Sequence, residues 1–145
     1  MKQKKWVYFN MKHLKKYNES KYLSKDGKKF SCFNNNLTEL LSIPETVEIF
    51  NCGNNNLKEL PELPKGLKKL YCYSNNLEEL PELPEIVEIV DCGYNNLTEL
   101  PELPKRLEGL YCHNNNLSEL PELPKKLEIL YCSSNNLEEL PRLPK

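Results

Sequence analysis

From Gly27 to the last residue, the apolar side chains recur on a period of 20 residues. With Leu67 as position 1, Leu67, Leu70, Cys72, Leu77, Leu80 and Leu83 occupy positions 1, 4, 6, 11, 14 and 17, and Pro81 and Pro84 occupy 15 and 18. The same frame begins at Gly27, Val47, Val87, Leu107 and Leu127, the last copy one residue short. Self-similarity at a fixed short period predicts a solenoid, in which each repeat buries its apolar face only against its neighbours. Within a repeat, positions 3 to 5 alternate, so a short strand is predicted there with position 4 facing in and positions 3 and 5 facing out. Prolines at 15 and 18 remove backbone donors and hold the preceding residues extended. The outer side of each coil is therefore predicted to be polyproline-like rather than helical, with positions 14 and 17 turned inward.

The first 26 residues stand outside this frame. Trp6, Val7, Tyr8 and Phe9 form an apolar knot, and Met11, Leu14, Asn18 and Tyr22 follow at helical spacing behind a candidate N-cap at Asn10. The first coil of a solenoid exposes an apolar end, and a short, helical cap built from Trp6, Phe9, Met11 and Leu14 is the expected cover. The chain thus divides into a basic cap segment, 1–26, and six repeats, 27–145.

The spacing L-x-x-L-x-C-x-x-N-x-L followed by L-P-x-L-P, carried by Leu67 to Pro84 and its copies, resembles the short class of leucine-rich repeats. That class is known from bacterial type III secreted effectors and is similar to repeats in some large DNA viruses. The resemblance implies a horseshoe with a parallel sheet on its concave face, binding other proteins, commonly those of a host. In one effector branch such repeats precede a catalytic ubiquitin-ligase domain, for which no room is left here. Two departures stand out: cysteine in place of an aliphatic residue at position 6, and Leu41, Ser42 and Ile43 where later copies have Pro-Glu-Leu.

Charge changes the picture only at the ends. Residues 1–30 carry ten lysines against Glu19 and Asp26, a net +8, whereas residues 31–145 carry a net −9. A lysine-rich solvated cap explains this; binding of nucleic acid or anionic lipid through the head is the rival. No apolar run approaches the roughly 18 residues of a membrane span, and no secretory leader is evident. A cytoplasmic setting is expected, extended by the resemblance to that of a host cell.

Cys32, Cys52, Cys72, Cys92, Cys112 and Cys132 recur every 20 residues without a C-x-x-C pair. Their register points them inward as small buried thiols in a reducing compartment, not as disulfides or metal ligands. Asn35, Asn55, Asn75, Asn95, Asn115 and Asn135 fill position 9, where an inward amide can satisfy the turn backbones of its own and adjacent repeats. Both columns are expected to be structural, with no metal or cofactor. The columns that the fold leaves free face out of the sheet. Position 5 supplies Tyr71, Asp91, Tyr111 and Tyr131, flanked by Tyr73, Tyr94 and His113, and glycines between them leave hollows. This composition fits a protein-binding patch, with Asp91 between aromatic rings suited to an arginine or lysine; a packing ladder is the plainer alternative. No nucleophile–base pair or phosphate loop accompanies His113, so no catalysis is expected. The reading is a non-enzymatic interaction module whose concave face binds one protein partner. A recognition part of a larger effector or ligase assembly is the alternative, and the last repeat leaves an uncapped edge through which copies can associate.

Overall fold

A computed structural model describes residues 19–143. After a single helical turn, α1 (Glu19–Tyr22), six three-residue strands follow: β1 (Lys29–Ser31), β2 (Ile49–Asn51), β3 (Lys69–Tyr71), β4 (Ile89–Asp91), β5 (Gly109–Tyr111) and β6 (Ile129–Tyr131). They form one parallel sheet in sequence order, and every pairing joins residues 20 apart, such as Leu70 with Val90 and Tyr71 with Asp91. Each repeat is therefore one turn of a parallel solenoid. The segments from position 10 to position 18, the proline-bearing ones included, form neither helix nor strand.

The strands are short because the backbone turns at position 8. Asn34, Asn54, Ser74, Tyr94, Asn114 and Ser134 all take positive φ, between 52° and 57°. Asparagine tolerates the left-handed region better than most residues, which accounts for three of the six. A second turn closes each coil where the carbonyl at position 18 accepts from the amide of the next position 1, as in Pro64 to Leu67 at 2.9 Å.

Positions 1, 4, 6 and 11 form the core. In the middle repeats Leu67, Leu70, Cys72, Leu77, Val87, Val90, Cys92 and Leu97 have no accessible surface. Burying a leucine of this kind contributes on the order of 2 kcal/mol. The cysteine column is buried from Cys32 to Cys112, but Cys132 is only partly covered, because no repeat packs on its far side. The expected uniform burial thus fails at the last coil. There Ile129, Leu140 and Leu143 are also exposed.

The asparagine column forms a ladder. Asn75 donates its amide to Cys52 O at 3.0 Å and Cys72 O at 3.1 Å and accepts from Leu57 N at 3.0 Å. Each later asparagine does the same one repeat on, so a single side chain satisfies three backbone groups spread over two coils. Asn35 has no coil before it, and there the Tyr22 hydroxyl donates to Asn35 Oδ1 at 3.0 Å. Tyr22 also packs edge-on against Phe30, with centroids 6.1 Å apart. Leu23 pairs antiparallel with Phe30, and Ser24 N donates to Lys29 O at 2.8 Å, covering the edge of β1. The cap residues Trp6, Phe9, Met11 and Leu14 lie outside the described residues.

Candidate functional site

Parallel register fixes the concave columns. Asn51, Tyr71, Asp91, Tyr111 and Tyr131 stand side by side on β2 to β6, one strand spacing of about 4.8 Å apart. Tyr111 and Tyr131 stack with centroids 5.2 Å apart and planes 21° from parallel. Tyr71, Tyr73, Asp91, Tyr111 and His113 are half-buried, whereas Tyr94 and Tyr131 are each 57% exposed.

Position 7 alternates between glycine and a ring, and the hollows expected at the glycines are filled. Tyr73 lies over Gly53 and His113 over Gly93. A Cβ on Gly53 would sit 2.8 Å from Tyr73 Cζ, and one on Gly93 2.5 Å from His113 Cε1. Each ring leans back across the flat glycine onto the repeat before it. Tyr73 thereby reaches Phe33, two repeats away, at 6.3 Å, and His113 meets the edge of Tyr94 at 5.1 Å. Tyr94 is a bulky side chain at positive φ where the other repeats have asparagine or serine, a conformation that is kept only where something compensates it.

This alternation shows a period of 40 residues laid over the period of 20. Val47 to Gly53 reads VEIFNCG and Val87 to Gly93 reads VEIVDCG, while Leu67 to Tyr73 and Leu107 to His113 supply the rings. The longer period was available in the sequence and is the signal that simple repeat counting passes over. Within it, Asn51 and Asp91 are equivalent. Asn51 Oδ1 accepts from Gly53 N at 3.0 Å, and Asp91 Oδ1 accepts from Gly93 N at 3.2 Å.

The electrostatics differ between the two units. Burial pushes the Asp91 carboxyl above its usual range, opposed in part by the Gly93 amide and by His113. Burial, and then Asp91, push the Tyr73 hydroxyl upward as well. His113 Nδ1 is buried and has no hydrogen-bond partner among the described residues. The thiols lie behind the sheet: burial raises Cys32 to about 11 and Cys112 to about 12, and holds Cys52, Cys72 and Cys92 well above the ordinary thiol value. Such thiols are poor nucleophiles and poor metal ligands. Among the described residues no group of three or more histidine, cysteine or acidic side chains could hold a metal, and no helix is long and apolar enough to cross a membrane.

The sequence profile for leucine-rich repeats in two copies matches residues 105–145. No curated protein matches the chain. Among solved structures, YopM from Yersinia enterocolitica WA-314 is 39% identical, with a TM-score of 0.79 over 81% of this chain and 26% of its own. A Shigella effector LRR domain is 38% identical, with a TM-score of 0.79 over 80% of this chain and 53% of its own. YopM from Yersinia pestis, a leucine-rich effector protein, is 37% identical, with a TM-score of 0.62 over 77% of this chain and 38% of its own. The chain thus spans between a quarter and about half of these structures. Likeness of this extent in both sequence and backbone, on a coil that repeats every 20 residues around an asparagine ladder, identifies the chain as a leucine-rich-repeat protein of the short, 20-residue type.

Proposed function

We propose that the chain is a non-enzymatic protein-binding module whose concave face, through Tyr71, Tyr73, Asp91, Tyr94, Tyr111, His113 and Tyr131, engages one partner protein. The observation that carries the reading is the equivalence of Asn51 and Asp91. Asn51 makes the turn-closing bond to the glycine amide without a charge, so the fold has no need of a carboxylate at 91. A half-buried acid costs stability there, and a partner that brings a cation offsets that cost. The flanking rings of Tyr71 and Tyr111 suit the stem of an arginine or lysine whose charge meets Asp91. The similarity to effector repeats supports a protein as partner, and six unpaired cysteines support work in a reducing compartment such as the cytoplasm of a host cell. The test is capture of proteins from host-cell lysate by the full chain and by Tyr111→Ala, followed by titration of each captured protein. A partner on this face loses about 2 kcal/mol of affinity with Tyr111→Ala and under about 0.5 with Glu102→Ala on the convex side. Equal affinity of the two variants for every captured protein rejects the concave face as the site.

A further inference from the structure

The tyrosines of the concave face keep hydroxyls that the fold does not use. Tyr22, at the first coil, donates to Asn35, whereas the hydroxyls of Tyr71, Tyr73, Tyr94, Tyr111 and Tyr131 make no hydrogen bond to the described residues. Those of Tyr71, Tyr73 and Tyr111 are open to solvent although the residues are half-buried. Against these donors stands the Asp91 carboxylate, whose Oδ1 takes the Gly93 amide at 3.2 Å and whose Oδ2 has no hydrogen bond among the described residues. The face thus offers ring surfaces, a row of donors and one carboxylate oxygen.

The spacing of the rings restricts what can rest on them. Tyr71 on β3 and Tyr111 on β5 lie two strands apart, about 9.6 Å, with Asp91 between them. A partner that packs on both has to return the same side of itself at that distance. An extended strand does so about every 6.7 Å, and an α-helix after one or two turns of about 5.4 Å each. A polyproline II helix, with three residues per turn and a rise of about 3.1 Å, does so after about 9.3 Å. Backbone chemistry points the same way. An α-helix uses its carbonyls internally, whereas a polyproline II segment leaves them all free, and each proline removes a donor. Free carbonyls with few amide donors match a row of hydroxyls. The Tyr111 ring is already fixed, stacked on Tyr131 at 5.2 Å and resting over Gly109, where a Cβ would lie 3.4 Å from it, so little side-chain freedom is lost on binding.

We infer that the partner segment on this face is a polyproline II helix carrying a basic residue. Prolines three positions apart pack on Tyr71 and Tyr111, the tyrosine hydroxyls donate to carbonyls of the segment, and an arginine or lysine between the two prolines reaches Asp91. The inference rests on the concave-face reading and names the conformation and chemistry of the partner. Charge complementarity at Asp91 sets the sign of the central residue, and the preformed conformation of a proline-rich segment keeps the entropy lost on docking small.

The probe is the fluorescein-labelled peptide PPPRPPP, titrated by anisotropy against the full chain. Beside it stand PPPEPPP, of opposite charge, and AAARAAA, which keeps the arginine without the prolines. PPPRPPP is expected to bind at least about tenfold more tightly than either control. The double variant Tyr71→Phe, Tyr111→Phe keeps both rings and removes two donors, and is expected to weaken the peptide about threefold or more. Asp91→Asn is expected to weaken it about tenfold, and Glu102→Gln on the convex side less than about twofold. No binding of PPPRPPP, equal binding of PPPRPPP and AAARAAA, or full affinity in the double phenylalanine variant overturns the proposal. Competition separates the two readings. A captured partner that loses affinity with Tyr111→Ala but is not displaced by PPPRPPP leaves the concave site standing and rejects the proline segment, whereas partner and peptide affinities that are both unchanged by Tyr111→Ala reject both.

Discussion

Asn95 shows how much of this molecule depends on single side chains. It donates to Cys72 O and Cys92 O and accepts from Leu77 N, all in buried surroundings. Asn95→Ala therefore leaves the buried Leu77 amide without its partner, while Cys72 O and Cys92 O each keep one donor, from Asn75 and Asn115, and is expected to cost roughly 1 to 3 kcal/mol, whereas Asn96→Ala, at an exposed position, is expected to cost under about 0.5. Denaturant midpoints of the two variants check this, and similar midpoints would contradict the ladder. Asp91 allows a second prediction at this scale. Its carboxyl titrates at higher pH in the folded chain than the ordinary 3.8 of the unfolded one. The folded state therefore binds more protons in that window, and the stability this group contributes is present in acid and lost as pH rises through the folded value. Asp91→Asn copies Asn51 and removes the dependence. Its melting temperature is expected to match the parent in acid and to exceed it at neutral pH; Glu48, held low by Lys68 and Lys28, is common to both proteins and drops out of the difference. A variant less stable at neutral pH would mean that the charge serves the fold.

At the scale of the element, strand and turn were readable from the sequence because their chemistry is local. Alternation at positions 3 to 5 set the strand, asparagine at 9 set the ladder, and proline at 15 and 18 excluded a convex helix. The pairing of Gly53 with Tyr73 and of Gly93 with His113 was not readable in the same way. It depends on a ring in one coil leaning onto the coil before it, and an aligned column shows composition but not lean. The glycine seat gives a direct prediction. Gly93→Ala places a methyl group against His113 and is expected to cost about 1 to 3 kcal/mol, while in a His113→Ala background it is expected to cost little. A double-mutant cycle measures the coupling; additive losses would show that the ring does not rest on Gly93.

Across the whole molecule, the two ends of the solenoid differ. Tyr22 and Leu23 complete the ladder and the sheet at β1, whereas β6 keeps exposed Ile129 and Tyr131 and a half-covered Cys132. Coils that touch only their neighbours lose order from the less supported end. Thiol labelling is expected to modify Cys132 first and Cys32, Cys52, Cys72, Cys92 and Cys112 only on unfolding, since these five have no accessible surface. Mass spectrometry of the native chain after a short pulse of alkylating reagent reads the order, and early modification of Cys72 or Cys92 would contradict the packed column. The surface proposed for binding runs from β3 to this end, where Ile129 and Tyr131 are exposed. The most direct test of that surface is the affinity of a captured partner for Asp91→Asn, measured beside the melting temperature of the same variant. The predicted result is affinity weakened about tenfold or more in a protein as stable as the parent or more so. Unchanged affinity would contradict the account, and Asp91 would then be an acid that the concave face carries without use.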